Sequence, residues 1–298
     1  MTVPNTLLAV SALTLAVSLV CIWCVPSGQD FTEANSAWNG ARELYQELGA
    51  EVIESFDELP AVPEKTVLMA IPYAEYTDAE LAALDRFVDR GGTLLLMDDF
   101  GHGNTVLASL GLSIRFSGQP LLDPLFCYKN RWLPRATRIT GTSGSDRIDV
   151  LMLNHATVLS DVDTETVLAW SSSSSFLDTD GNELRDEGEP GGPLPVAAEI
   201  GVGEGRVAVV SDPSIAINSM IGRDDNYNFI KYLTRCEGGE GRLLVDASHL
   251  PRAPLDKAKA RLADARQVMS GAYPVLGLLA LAFAIVLGNM LRKGETVG

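Results

Sequence analysis

The densest chemistry in the chain lies in twelve residues, Asp178 to Glu189, reading DTDGNELRDEGE. Side-chain oxygens fall at relative positions 1, 3, 5, 9 and 12, from Asp178, Asp180, Asn182, Asp186 and Glu189, and position 7 offers the backbone carbonyl of Leu184. Hard oxygen ligands at this spacing suit calcium, as in an EF-hand loop. The pattern departs at position 6, where such loops carry glycine and this chain carries Glu183, with Gly181 at position 4. The flanks 171–176 and 190–195 do not read as helices, so the expectation is an isolated calcium loop of weak affinity. Its rival is a solvated acidic turn, in which six acids and one arginine repel one another unless a cation is present.

A second set follows the apolar runs. Asp98, Asp99, His102 and Asn104 come after one run, Asn154 and His155 after another, and Asp212, Ser214 and Asn218 after a third. If these runs are strands of an open parallel sheet, their carboxyl ends converge on the crevice where such sheets bind ligands. The same residue types also cap helices and close turns, which is the competing reading. An enzymatic version, a hydrolase or lyase, would use Asp98, Asp99, His102 and Asp212 for proton transfer. His102, His155 and His249 are the three histidines, and no spacing among them signals zinc. The four cysteines form no metal pattern either: Cys21 and Cys24 lie in an apolar run, Cys127 sits in a packing segment, LFCYK, and a Cys127–Cys236 disulfide stays open.

The elements that must position these groups alternate. Ala41, Leu44, Tyr45 and Leu48 recur at helical spacing before Gly49, predicting a helix over 38–48. Strands are expected at 51–55 and 66–71, and a helix over 77–90 with Asp78 and Glu80 in its first turn. Gly91 and Gly92 end that helix, and Thr93 to Met97 is a continuous apolar run of the kind buried on both faces. From 115 to 204 the pattern loosens, with short strand candidates at 149–153 and 166–170, and this stretch reads as an elaboration on the sheet. Regularity returns with a strand at 205–211, a helix at 224–233 and a last strand at 242–245. The fold expected over 31–246 is α/β, a parallel sheet with helices on both faces.

Both ends of the chain are apolar. Residues 7–25 and 272–291 carry no charge, and the second run opens on Tyr273 and closes on Arg292 and Lys293, which reads as two transmembrane helices with both termini cytoplasmic and the domain held outside. Residues 255–270 read as a charged amphipathic helix before the second span. With a formal charge of −16 over 298 residues, the chain is not expected to bind nucleic acid. The partners expected are the bilayer and other membrane proteins.

Three stretches carry a resemblance to a known family: RGGTLLLMDDF from Arg90, GRVAVVSDPS from Gly205, and INSM from Ile217 followed by Asp225-Asn226. NSAWNG from Asn35 and NHAT from Asn154 add to it. They resemble the membrane-anchored family named domain of unknown function 4350, which is similar to the auxiliary domains of gliding-motility-type ABC transporters and to the class I glutamine amidotransferase fold. The resemblance implies a flavodoxin-like domain without an established reaction, and an ATPase or permease as partner. Amidotransferase chemistry needs a nucleophilic thiol on a tight strand-to-helix turn, and here Asp98 and Asp99 stand after the strand. The function expected is a non-catalytic binding or scaffold module accessory to a membrane assembly.

Overall fold

The computed structural model describes residues 3–24, 27–141, 147–235, 241–251, 254–259 and 261–262. Two compact units result, one made of the chain's two ends and one of Pro26–Pro251. In the first, α1 spans Val3–Cys24. Among the described residues no helix is long and apolar enough to cross a membrane. This corrects the expected two-span topology and the extracytoplasmic placement that followed from it. Residues 7–24 of the expected first span are helical, and Thr14 returns its hydroxyl to the Val10 carbonyl, 2.9 Å away. The second expected span, 272–291, and most of the expected amphipathic helix 255–270 lie outside the described residues.

The second unit begins with α2 (Arg42–Leu48) and β1 (Glu51–Ile53), followed by β2 (Thr66–Ala70), α3 (Asp78–Asp89), β3 (Thr93–Met97) and α4 (Asn104–Ser109). Short strands follow: β4 (Arg115–Phe116), β5 (Leu121–Leu122), β6 (Arg135–Ile139), β7 (Leu151–Met152), β8 (Leu159–Ser160), β9 (Val167–Ser171) and β10 (Phe176–Leu177). The chain then forms β11 (Pro195–Val202), β12 (Gly205–Val210), α5 (Asn226–Thr234) and β13 (Arg242–Asp246).

Local chemistry sets the boundaries. α2 starts later than its periodicity suggests because Asn35 takes the Ala37 amide and closes a turn. It stops at Gly49, whose φ of 62° is left-handed and whose amide reaches the Tyr45 carbonyl. β1 is cut short because Ser55 caps a 3-10 turn, Phe56–Glu58, in a reciprocal box with Glu58. α3 opens on the same device, Thr77 with Glu80. Gly92 and Gly205 allow the return of the chain: a Cβ on Gly205 would lie 2.2 Å from the Gly92 carbonyl oxygen.

Nine strands form one sheet in the order β1-β13-β2-β3-β12-β11-β9-β6-β7. From β1 to β12 neighbours run parallel. From β12 onward every pairing is antiparallel. The fully parallel, flavodoxin-like sheet is therefore corrected to a mixed one. The cause is a two-residue turn at Gly203 and Glu204, with φ 56° at the glycine, which admits only an antiparallel hairpin between β11 and β12. Residues read as an elaboration, 115–204, supply β11, β9, β6 and β7 and so the whole antiparallel half.

Helices cover both faces, as expected. Val67, Met69, Leu95, Met97, Ala208 and Val210 share one core with Leu44, Phe229 and Leu233. Leu68, Leu94, Leu96, Val207 and Val209 face the other, with Leu84, Phe87, Val88 and Leu107. Burial on both faces explains why β3 is an unbroken apolar run, each leucine contributing about 2 kcal/mol of transfer free energy.

Candidate binding site at the carboxyl edge of the sheet

Because β2, β3, β12 and β13 run parallel, their carboxyl ends open on one edge. Three acids meet there. Asp98, just after β3, is buried and accepts from the amides of Phe100 (2.9 Å) and Gly103 (2.6 Å), closing the turn into α4. Burial raises its pKa against those bonds. Asp212, just after β12, is fully buried and accepts from Asn154 N (2.7 Å) and Ser214 N (2.8 Å). Burial pushes its carboxyl well above the usual range, and the charge of Asp99 adds to the effect.

Asp99 differs from both. Its carboxyl is partly buried, receives only its own amide, and is pushed up to about 7 by burial and by the neighbouring Asp98 charge. Tyr73, after β2, is raised by burial and then by Asp99. Its ring stands in a row: Phe31 at 6.0 Å, Phe100 at 6.2 Å, and His102 6.3 Å beyond Phe100. Phe100 is 63% exposed, so this end of the row faces solvent beside Asp99, while Phe31 at the other end is buried.

The remaining candidates at strand ends are mostly clamps. Asn104 binds both backbone groups of Phe116, at 2.8 and 3.0 Å. Asn218 accepts from the Glu43 amide and donates to the carbonyls of Ala37 and Asn35, tying the loop after β12 to the first turn of α2 and the residues before it. Ser214 lends its amide to Asp212. His155 is exposed, bonds Asn154 Oδ1 through Nδ1 (2.8 Å) and stacks on Trp132 at 5.0 Å. His102 is exposed and makes no hydrogen bond to an aspartate among the described residues. The edge thus brings Asp98, Asp99 and Asp212 together, with His102 near enough for its charge to act on Asp98 but not bonded to it, and leaves His155 outside the cluster.

Sequence reasoning missed a neighbouring cluster on the same edge. His249, 4% exposed, has Nδ1 2.7 Å from Asp246 Oδ2 and Nε2 3.6 Å from Glu80 Oε2. Its ring stacks on Tyr76 at 3.8 Å, and the Tyr76 hydroxyl donates to Asp246 (3.2 Å). Ser248 Oγ lies 2.9 Å from the same Nδ1 that meets Asp246. A serine–histidine–aspartate relay needs serine and aspartate on opposite ring nitrogens, so this group cannot activate Ser248 that way. The available signal was Asp246 at the end of the last apolar run, the position already singled out after the other strands.

In the acidic loop, Asp178, Asp180 and Glu189 bring ligand oxygens within 4.8 Å of one another. Asn182 instead bonds Asp180 (3.0 Å) and Asp186 (2.6 Å), and Leu184 gives its amide to Asn182 Oδ1 (2.7 Å). Asp178 is buried and takes the amides of Gly181 and Glu183. Amides of Thr179 and Asp186 hold Glu189, and the first of these does most to lower its pKa. Glu183, at the position where an EF-hand has glycine, adopts φ 62°, the left-handed backbone that such a glycine supplies. Cys127 is a free thiol, and Cys236 lies outside the described residues.

The family model described as "Domain of unknown function (DUF4350)" matches residues 33–234. None of the curated proteins matches. Among solved structures, the mmIFT52 N-terminal domain is similar at 16% identity and a TM-score of 0.50, over 70% of this chain and 94% of that one. A beta-galactosidase from Bacillus circulans sp. alkalophilus follows at 15% identity and a TM-score of 0.39, over 59% of this chain and 23% of that one. The first of these likenesses concerns the fold alone.

Proposed function

We propose, for a chain that belongs to the DUF4350 family, that the carboxyl edge of the sheet is a non-catalytic binding surface for a ligand carrying a cationic group. The observation that carries this reading is Asp99. It is the one acid of the three that no neighbouring residue's amide engages, and it sits beside the exposed ring of Phe100 and near Tyr73. A carboxylate beside aromatic faces suits an ammonium or guanidinium group, which gains both charge pairing and cation–π attraction. Asp98 and Asp212 are already committed to backbone amides and act as the frame.

Calorimetric titration with small cations such as guanidinium and a polyamine, against neutral saccharides as a control, tests the reading. Saturable binding of the cations is expected, weakening as pH falls below about 7 because Asp99 then gains its proton. Asp99→Asn should weaken it at least tenfold. Equal binding of the saccharides, or an unaltered affinity in Asp99→Asn, sinks the proposal. For the acidic loop we propose calcium as the ion, supported by the convergence of Asp178, Asp180 and Glu189.

A further inference from the structure

The hairpin between β5 and β6 is built to project side chains. Asp123 is fully buried and takes the amides of Leu125 (2.9 Å) and Phe126 (2.8 Å) along with the hydroxyls of Ser172 and Ser174. Backbone bonds Tyr128 N to Leu133 O and Arg135 N to Phe126 O close it, at 2.9 and 3.1 Å. So held, it leaves Leu125 81% and Phe126 41% exposed. A single exposed leucine is ordinary, but a fixed tip with an aromatic neighbour is not a random surface.

Positive charge is concentrated at the same place, in a chain of net charge −16. Lys129 lies 4.9 Å from the Tyr128 ring centroid, Arg223 at 5.5 Å and Arg135 at 6.0 Å. Of these, Arg135 is paired with Asp224 (2.8 Å). Rings and guanidinium groups together are the composition of interface hot spots.

The acidic loop adjoins this hairpin, since Arg131 donates to the Glu183 carbonyl. That loop carries six acids and presents Leu184, 60% exposed, at its tip. Two complementary patches therefore lie side by side on one copy, each a fixed loop with an exposed leucine. A two-fold axis between them sets each patch against its complement on the other copy, which is the self-complementary arrangement a symmetric dimer requires. The two loops offer about twenty residues per copy, the size of a standard interface.

We infer that this chain pairs with a second copy of itself, the cationic aromatic hairpin 124–133 of each resting on the acidic loop 178–189 of the other. A nucleic acid fits less well: its phosphates would meet the acidic loop that adjoins the hairpin and offer nothing to Leu125 and Phe126.

Sedimentation velocity on the full chain tests the pairing by charge swap. The wild type should be a dimer at about 0.05 M salt, with affinity falling several-fold at about 0.5 M as the charges are screened. Lys129→Glu alone and Glu187→Lys alone should each raise the dissociation constant at least tenfold. An equal mixture of the two variants should recover the wild-type affinity, because every contact across the mixed dimer is again between opposite charges. Leu125→Ser, at a solvent-exposed position, should weaken pairing with its melting temperature unchanged, which separates loss of contact from loss of fold. A monomeric wild type, single variants that pair as well as wild type, or a mixture that stays monomeric overturns the inference. So does a monomer that binds acidic peptide, DNA or anionic vesicles through this hairpin.

Discussion

At the scale of single residues, the carboxyl edge separates acids by what they touch. Asp98 and Asp212 spend their oxygens on backbone amides and hold loops in place. Asp99 takes only its own amide, and burial beside Asp98 holds it near 7. The sign of its effect on stability follows. A carboxyl whose folded pKa is raised binds more protons folded than unfolded between an aspartate's ordinary range and about 7, so stability falls as pH rises through that window. The ceiling is about 4 kcal/mol at 1.36 kcal/mol per pH unit, and discounting for the coupled titration of Asp98 and Asp212 leaves about 2. Urea unfolding should find Asp99→Asn more stable than wild type by about 2 kcal/mol at pH 8 and nearly equal at pH 4. Equal stability of the two proteins at both pH values would remove the case for a strained Asp99.

Among the elements, the acidic loop is the one whose chemistry is most sharply posed. Its turn is already held by Asp178 on the amides of Gly181 and Glu183, and by Glu189 on those of Thr179 and Asp186. Removing Asp178 would therefore damage the loop whether or not it takes an ion. Asp180 is exposed and, apart from two bonds to Asn182, is available as a ligand. Millimolar calcium should raise the melting temperature by a few degrees, a gain of about 1 kcal/mol, and Asp180→Ala should abolish the increment with little change in the calcium-free protein. The absence of any shift with calcium, or a shift that survives in Asp180→Ala, counts against calcium at this loop.

For the Pro26–Pro251 unit as a whole, long-range ties convert separate loops into one edge. Asn218 joins the turn after β12 to Asn35, Ala37 and Glu43, more than 170 positions away in sequence. Asn218→Ala leaves those backbone groups to find water and should cost about 2 kcal/mol. Hydrogen exchange should rise first over residues 31–43, with β3 and β12 unchanged; uniform acceleration across the sheet would show that the tie is not local. Another tie of this kind links Tyr76 to Asp246, bringing the segment before α3 onto the end of β13 beside His249.

Much of the layering was legible in residue order alone. The unbroken apolar run Thr93–Met97 announced a strand buried on both faces, Asp78 and Glu80 marked the first turn of α3, and Gly49 marked the end of α2. Placing Asp98, Asp99 and Asp212 immediately after apolar runs was equally local, and so was the oxygen spacing of the acidic loop. These signals survive because burial, capping and turn formation act between residues a few positions apart. Tertiary structure alone decided which strands are neighbours: β13, the last strand among the described residues, lies between β1 and β2, and a two-residue turn at Gly203 made half of the sheet antiparallel. That order in turn decided that the three acids meet, that His155 stays outside, and that His249 is enclosed by Asp246, Glu80 and Tyr76. Charge interactions of this kind depend on distance and burial, and neither is written in the spacing of residues along the chain.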